Sequence, residues 1–190
     1  MQRKRTSKAA WIEAALAVLR SEGIQGVRVE RLARDLGIAK SGFYWHFKER
    51  DDLLQQLLDY WEHEFTEVVS ENLELRRLGP RERLTRVAEL VLEHDLSGFD
   101  LSFRAWAAHD RLVARRVNRV IGKRFDYIRE AFAELGFEGQ DLDMRTRLFV
   151  CYSSAERATY PGVSKKALRE LVPLRMALLT GSDRQHEGER

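Results

Sequence analysis

Apolar residues recur along this chain at spacings of three and four, the period at which side chains line one face of a helix. Ile12, Ala15, Leu16 and Leu19 predict a first helix that Ser7 caps and Gly23 stops. Val29, Leu32, Ala33 and Leu36 repeat the spacing over a shorter length before Gly37, and a third short helix is expected from Ala39 to His46. The stripe Leu54, Leu57, Leu58, Trp61, Phe65 and Val68 predicts a long fourth helix reaching toward Leu75. Leu84, Val87, Ala88, Val91 and Leu92 mark a fifth beyond Pro80, and Phe99, Phe103 and Trp106 a sixth. Asp110 stands where it would cap a seventh, whose stripe runs from Val113 to Phe132, and the last two fit Asp141 to Thr159 and Ser164 to Thr180. Glycine and proline punctuate the chain at Gly23, Gly26, Gly37, Gly79, Pro80, Gly98, Gly136, Gly139, Pro161, Gly162 and Gly181 and leave little room for strands. The expected fold is all-α, with about nine helices.

Charge divides the chain unevenly. Residues 1–50 hold 11 Lys/Arg against 5 Asp/Glu, a net +6, whereas the remaining residues hold 22 against 25, a net −3. A basic end of this kind is the footprint of nucleic-acid or acidic-membrane binding, although a solvated basic face gives the same count. No apolar run approaches the ~18 residues needed to span a bilayer. The positively charged start lacks the apolar centre of a signal peptide, and the single Cys151 cannot form an internal disulfide. A cytoplasmic protein with no membrane partner is the expectation. Helix length and charge both change near Phe47 to Arg50, so the expected domains are 1–49 and 50–190.

Two short helices around a tight turn at Gly37 outline a helix-turn-helix, whose second helix can enter a major groove about 12 Å wide. On helical spacing Phe43 and Phe47 share one face, packing on Ile12, Leu16, Leu32 and Leu36, which leaves Lys40, Ser41, Tyr44 and Trp45 outward. Lys40 can donate to guanine edges or phosphates and Ser41 to either, while the phenol and indole carry donors that reach backbone oxygens. Gly42 is costly inside a helix, which is intelligible either as close approach to another surface or as a bend after the turn. His46, Lys48 and Arg50 line the exit and could hold phosphates; an exposed cap is the plain alternative for His46.

The segment VRVERLARDLGIAKSGFYWHFKERDDLL resembles the DNA-binding signature of TetR-type transcriptional regulators. The likeness rests on the spacing of Val29, Leu32, Ala33, Leu36 and Ile38, the run from Phe43 to Lys48, and Asp51, Asp52, Leu53 and Leu54 at the start of the next helix. It implies that Lys40, Ser41 and Gly42 contact bases or nearby phosphates, that Tyr44 and His46 bind phosphates, and that Lys48 or Arg50 closes the clamp. One position departs: Val29 stands where such proteins often carry a Ser or Thr that caps the helix and reaches a phosphate. Arg28 is the expected substitute, and Arg3, Lys4 and Arg5 a candidate arm.

The resemblance further implies that residues 50–180 form a helical effector-binding and dimerisation domain, with the last two long helices at a homodimer interface. Leu148, Cys151, Tyr152 and Ala155, with Leu168, Leu171 and Val172, are apolar at helical spacing, a pattern that a monomer core would share. Candidate lining for a small-molecule effector is Trp61, Phe65, Phe103, Trp106, His109, Phe125, Phe149 and Tyr152, residues that equally suit a core. The expected partners are therefore double-stranded operator DNA, a second copy of the chain and an effector that releases the DNA. A constitutive DNA-binding dimer without a ligand is the alternative. An enzyme is a poor third, since no nucleophile with its base, metal-ligand spacing or phosphate loop stands out, and no cofactor or metal is expected.

Overall fold

The structure, a computed structural model, describes residues 6–64, 72–159 and 162–181, with side chains at all of these positions but 157–159. The described residues form ten α-helices and two 3₁₀ turns, and no strand among them interrupts the series. In chain order the helices are α1 (Lys8–Glu22), α2 (Val29–Asp35), α3 (Arg50–Glu62), α4 (Leu73–Arg77), α5 (Pro80–Glu93), α6 (Leu96–Ala107), α7 (Arg111–Glu134), α8 (Gly139–Thr159), α9 (Lys165–Glu170) and α10 (Val172–Thr180). The 3₁₀ turns are Ile24–Gly26 and Lys40–Trp45.

Several helix ends are fixed by residues the sequence singles out. The Ser7 hydroxyl accepts from the Ala10 amide at 3.2 Å and starts α1, and the Asp110 carboxylate accepts from the Leu112 and Val113 amides to start α7. Three expectations need correction. The third helix is a six-residue 3₁₀ turn rather than an α-helix. Leu75 belongs not to the fourth helix but to the separate α4, which the Asn72 side chain caps, while Phe65 and Val68 lie outside the described residues. The last helix is broken into α9 and α10 at Leu171, because Pro173 has no amide hydrogen and its ring clashes with the carbonyl four residues back.

Two compact units divide the chain. The first contains the described residues up to 64 and residues 102–118. Its apolar centre joins Trp11, Ala15, Leu16 and Leu19 of α1 with Val29 and Leu32 of α2, Phe43 and Phe47, and Leu53, Leu57 and Trp61 of α3. Within it Trp61 stacks on Phe103 at 4.5 Å, and Arg116 holds α3 by donating to Asp59 at 2.6 Å and to the buried Glu62 at 2.9 Å. The second unit contains the described residues from 72 to 101 and from 119 to 181. Its core gathers Leu84, Ala88 and Leu92, Ile128 and Phe132, Leu142 and Phe149, and Val172 and Met176. The nearly inaccessible Arg83 guanidinium is compensated by Glu134 at 2.6 Å.

Candidate nucleic-acid interface

The geometry of the site begins with a turn. At the end of α2 the Gly37 amide bonds to the Arg34 carbonyl at 3.1 Å and the Ile38 amide to the Ala33 carbonyl at 3.0 Å, the paired bonds of a Schellman motif. Gly37 adopts φ +67°, a left-handed conformation that a Cβ makes costly, so glycine here is a backbone requirement. Ala39 is extended, and the chain then coils tightly through Lys40–Trp45.

In that coil the bulky residues separate by role. Phe43 and Phe47 are buried and stacked at 5.0 Å, and Phe43 meets Trp11 edge-on at 5.3 Å. Trp11 is a core anchor that the α1 stripe of Ile12, Ala15, Leu16 and Leu19 passes over. Tyr44 and Trp45 point outward, 56% and 80% exposed, with Lys40 and Ser41 exposed beside them. The Trp45 indole is thus left in water and forgoes the gain of burying a large apolar ring. Gly42 has no internal need to be glycine: a Cβ there would meet only Ile38 Cδ1 at an ordinary 3.8 Å.

The polar residues are less uniform than the sequence implies. The Lys40 ammonium is bonded to Glu30 at 2.5 Å, a partner ten residues away on α2 that helical spacing does not reveal. That contact holds the Glu30 carboxyl below, and the Lys40 ammonium above, its ordinary range. Arg28 is exposed, with its Nε donating back to the Gln25 carbonyl at 3.0 Å. Val29 is buried, so the departure from a hydroxyl at this position removes a surface group altogether. The Lys48 side chain is exposed, while its backbone amide donates to the Asp52 carboxylate at 2.9 Å. That bond, with one from Gln56, holds the Asp52 carboxyl below its usual range.

His46 and Arg50 are half-buried and bond to backbone carbonyls. The His46 Nε2 lies 2.9 Å from the Thr6 carbonyl, so with its proton on Nε2 the ring secures the residue just before the α1 cap. Arg50 donates through Nε to the Val27 carbonyl at 2.6 Å and through Nη2 to the Ile24 carbonyl at 2.9 Å. Both side chains thus hold backbone carbonyls of the module, partners that the sequence reading does not supply. Arg3, Lys4 and Arg5 lie outside the described residues.

The expected effector residues do not form a single lining within either unit. Trp61, Phe103 and Trp106 are buried together in the first, where His109 is exposed. In the second, Phe149 meets Phe132 edge-on in the core, Phe125 is half-buried beneath the Arg147 guanidinium, and Tyr152 is on the surface under Arg175. Phe65 lies outside the described residues. Phe149 is thus a core residue, while His109 and Tyr152 face outward.

Residues 12–57 match the family described as bacterial regulatory proteins, tetR family. YuxN, an HTH-type transcriptional regulator of Bacillus subtilis, is 31% identical over 88 residues, 44% of this chain and 30% of its own length. The class C tetracycline repressor of Escherichia coli is 40% identical over 50 residues, 26% of this chain and 23% of its own. The chain thus spans less than a third of the length of these relatives. Likeness to solved structures runs much further. A transcriptional regulator from Rhodococcus sp. RHA1 superposes with a TM-score of 0.71 at 15% identity, over 92% of this chain and 96% of that one. The Bacillus subtilis regulator FadR in complex with stearoyl-CoA gives 0.69 at 19% identity, over 92% and 98%. At such identities the likeness is one of fold, and it agrees with the helix-turn-helix geometry and with the match of residues 12–57 to the tetR family of bacterial regulatory proteins.

Proposed function

We propose that this protein is a homodimeric transcriptional repressor that binds a palindromic operator and is released from it by a small-molecule effector. The observation that carries the DNA-binding part is the division within Lys40–Trp45: Phe43 is locked into the core while Lys40, Ser41, Tyr44 and Trp45 are presented outward from one rigid element. Lys40 and Ser41 reach base edges or phosphates, Tyr44 and Trp45 reach the backbone, and Arg28 and Lys48 flank them with charge. His46 and Arg50 set the position of this surface. A protein of this kind does its work by binding and is no enzyme.

Dimerisation is supported by two exposed apolar stripes on neighbouring helices. Met144, Leu148 and Tyr152 follow i, i+4, i+8 along α8, with Cys151 beside them, and Leu171, Leu174 and Leu178 follow i, i+3, i+7 at and along α10. Leu168 and Val172, expected at the interface, are instead consumed by the protomer's own core. Pairing these stripes across a two-fold axis would bury them and set two reading elements on successive major grooves, about 34 to 36 Å apart. An effector is supported by the fold shared with the stearoyl-CoA complex of FadR. To act, it must favour a dimer whose reading elements are wrongly spaced, with α3 carrying the displacement; coupling of ~1 to 3 kcal/mol would be ordinary.

Selecting bound duplexes from a random pool at fixed salt tests the reading in one step. Two inverted half-sites one helical turn apart are expected. Lys40→Ala and Tyr44→Ala should each weaken binding, and loss of a phosphate contact should reduce the salt slope by about 1. Affinity and slope unchanged in both variants would remove Lys40–Trp45 as the reading element.

A further inference from the structure

The Glu30–Lys40 pair is out of place if its purpose is stability. Both side chains are well exposed, 66% and 48%, and exposed ion pairs contribute little. It also sets a carboxylate on the surface proposed to face DNA, where phosphates repel it. A carboxylate there needs a compensating donor, and in the major groove the donors are the amino groups of cytosine and adenine.

We propose that Glu30 and Lys40 read one G·C base pair together, Lys40 donating to the guanine O6 and N7 while Glu30 accepts from the cytosine N4 amino group. The proposal rests on the DNA-binding reading above and adds a specificity-determining residue to it. The two side chains come from different elements, the first turn of α2 and the first residue of the 3₁₀ coil, so the Schellman turn at Gly37 is what places them together. An ammonium carries three hydrogens, so with one on Glu30 Lys40 can still donate to a base edge. A carboxylate accepts more than one bond, so Glu30 can hold Lys40 through Oε1 and still accept from an outside donor. A G·C pair offers two adjacent acceptors and then a donor across the groove, the complement of this ammonium beside this carboxylate. An A·T pair interposes its donor between acceptors and adds a methyl group. The plain alternative is that Glu30 merely favours the positive end of α2.

The test uses the full chain and duplexes in which each base pair of a selected half-site is changed in turn to the other three, titrated at one salt concentration. Wild type should lose about tenfold or more in affinity when one particular G·C is replaced. Glu30→Ala and Lys40→Met should each abolish the preference at that same position and no other, and the double variant should lose nothing further there. Glu30→Gln, which keeps an acceptor, should retain more of the preference than Glu30→Ala. If Glu30→Ala instead tightens binding to every duplex alike, or if the two variants relax different positions, the shared reader is overturned while the DNA-binding function stands. If wild type binds no duplex even at low salt, both are overturned.

Discussion

Gly42 and Gly37 lie five residues apart and are glycine for different reasons. At Gly37 the backbone is left-handed, so Gly37→Ala should destabilise the protein by roughly 1 to 2 kcal/mol although no atom stands in the way of the new methyl group. Gly42 has ordinary backbone geometry and room for a Cβ against Ile38. Gly42→Ala should leave thermal stability unchanged or raise it by about 0.5 to 1 kcal/mol, because alanine loses less conformational freedom on folding. If the glycine is there to let DNA approach, the same variant should bind operator more weakly. Melting and titration of this one variant therefore separate a folding requirement from a binding one; unchanged affinity would return Gly42 to the status of a bend.

At the scale of elements, Arg50 is the informative residue. It stands at the start of α3 but donates to carbonyls at Val27 and Ile24, fastening that helix to the segment that delivers α2. Lysine keeps the charge and loses the two-nitrogen geometry. Arg50→Lys is expected to cost roughly 2 kcal/mol in denaturant unfolding, the scale of charged hydrogen bonds, and to weaken DNA binding without altering its salt slope. Arg50→Gln, which removes the charge, should likewise leave the slope unchanged; a slope reduced by about 1 in that variant would instead make Arg50 a phosphate ligand. The same helix start carries a pH dependence. Asp52 is held below the usual carboxylate range by the Lys48 amide, so its folded pKa lies beneath its unfolded one. Its stabilising contribution is complete at neutral pH, declines as pH falls below about 4, and is gone once pH passes the folded pKa. The stability difference between wild type and Asp52→Asn, followed by acid titration of unfolding, should shrink over that window; a difference constant down to pH 2 would exclude the linkage.

For the whole molecule, the proposed pairing of two chains is the property to test. Leu174 and Leu178 project from α10 at 57% and 72% exposure, and no protomer core needs them there. The double variant Leu174→Glu, Leu178→Glu should therefore leave helicity and protomer folding intact while sedimentation shows monomers. Binding to a two-half-site operator should fall far more than binding to a single half-site, because the second contact is no longer tethered. A variant that still sediments as a dimer would move the interface elsewhere. The charge distribution fits the proposed scheme: the positive excess lies in the N-terminal fifty residues, and the rest is slightly negative.

The three- and four-residue spacings determined an all-helical chain, and the residues around Gly37 a helix-turn-helix with Phe43 and Phe47 inward and Lys40, Ser41, Tyr44 and Trp45 outward. Such features are local: they depend on caps, turn conformations and which face of a short coil is apolar, all settled within a few residues. Tertiary structure decided what local pattern cannot. It gave Lys40 a partner in Glu30 from another element, supplied His46 and Arg50 with carbonyl partners at Thr6, Val27 and Ile24, and brought Trp11 onto Phe43. It also sorted the apolar residues of the last helices, sending Leu168 and Val172 to the core and leaving Leu148 and Leu171 outside. Hydrophobic spacing records that a residue prefers to leave water; only the packed arrangement determines whether its own chain provides the cover.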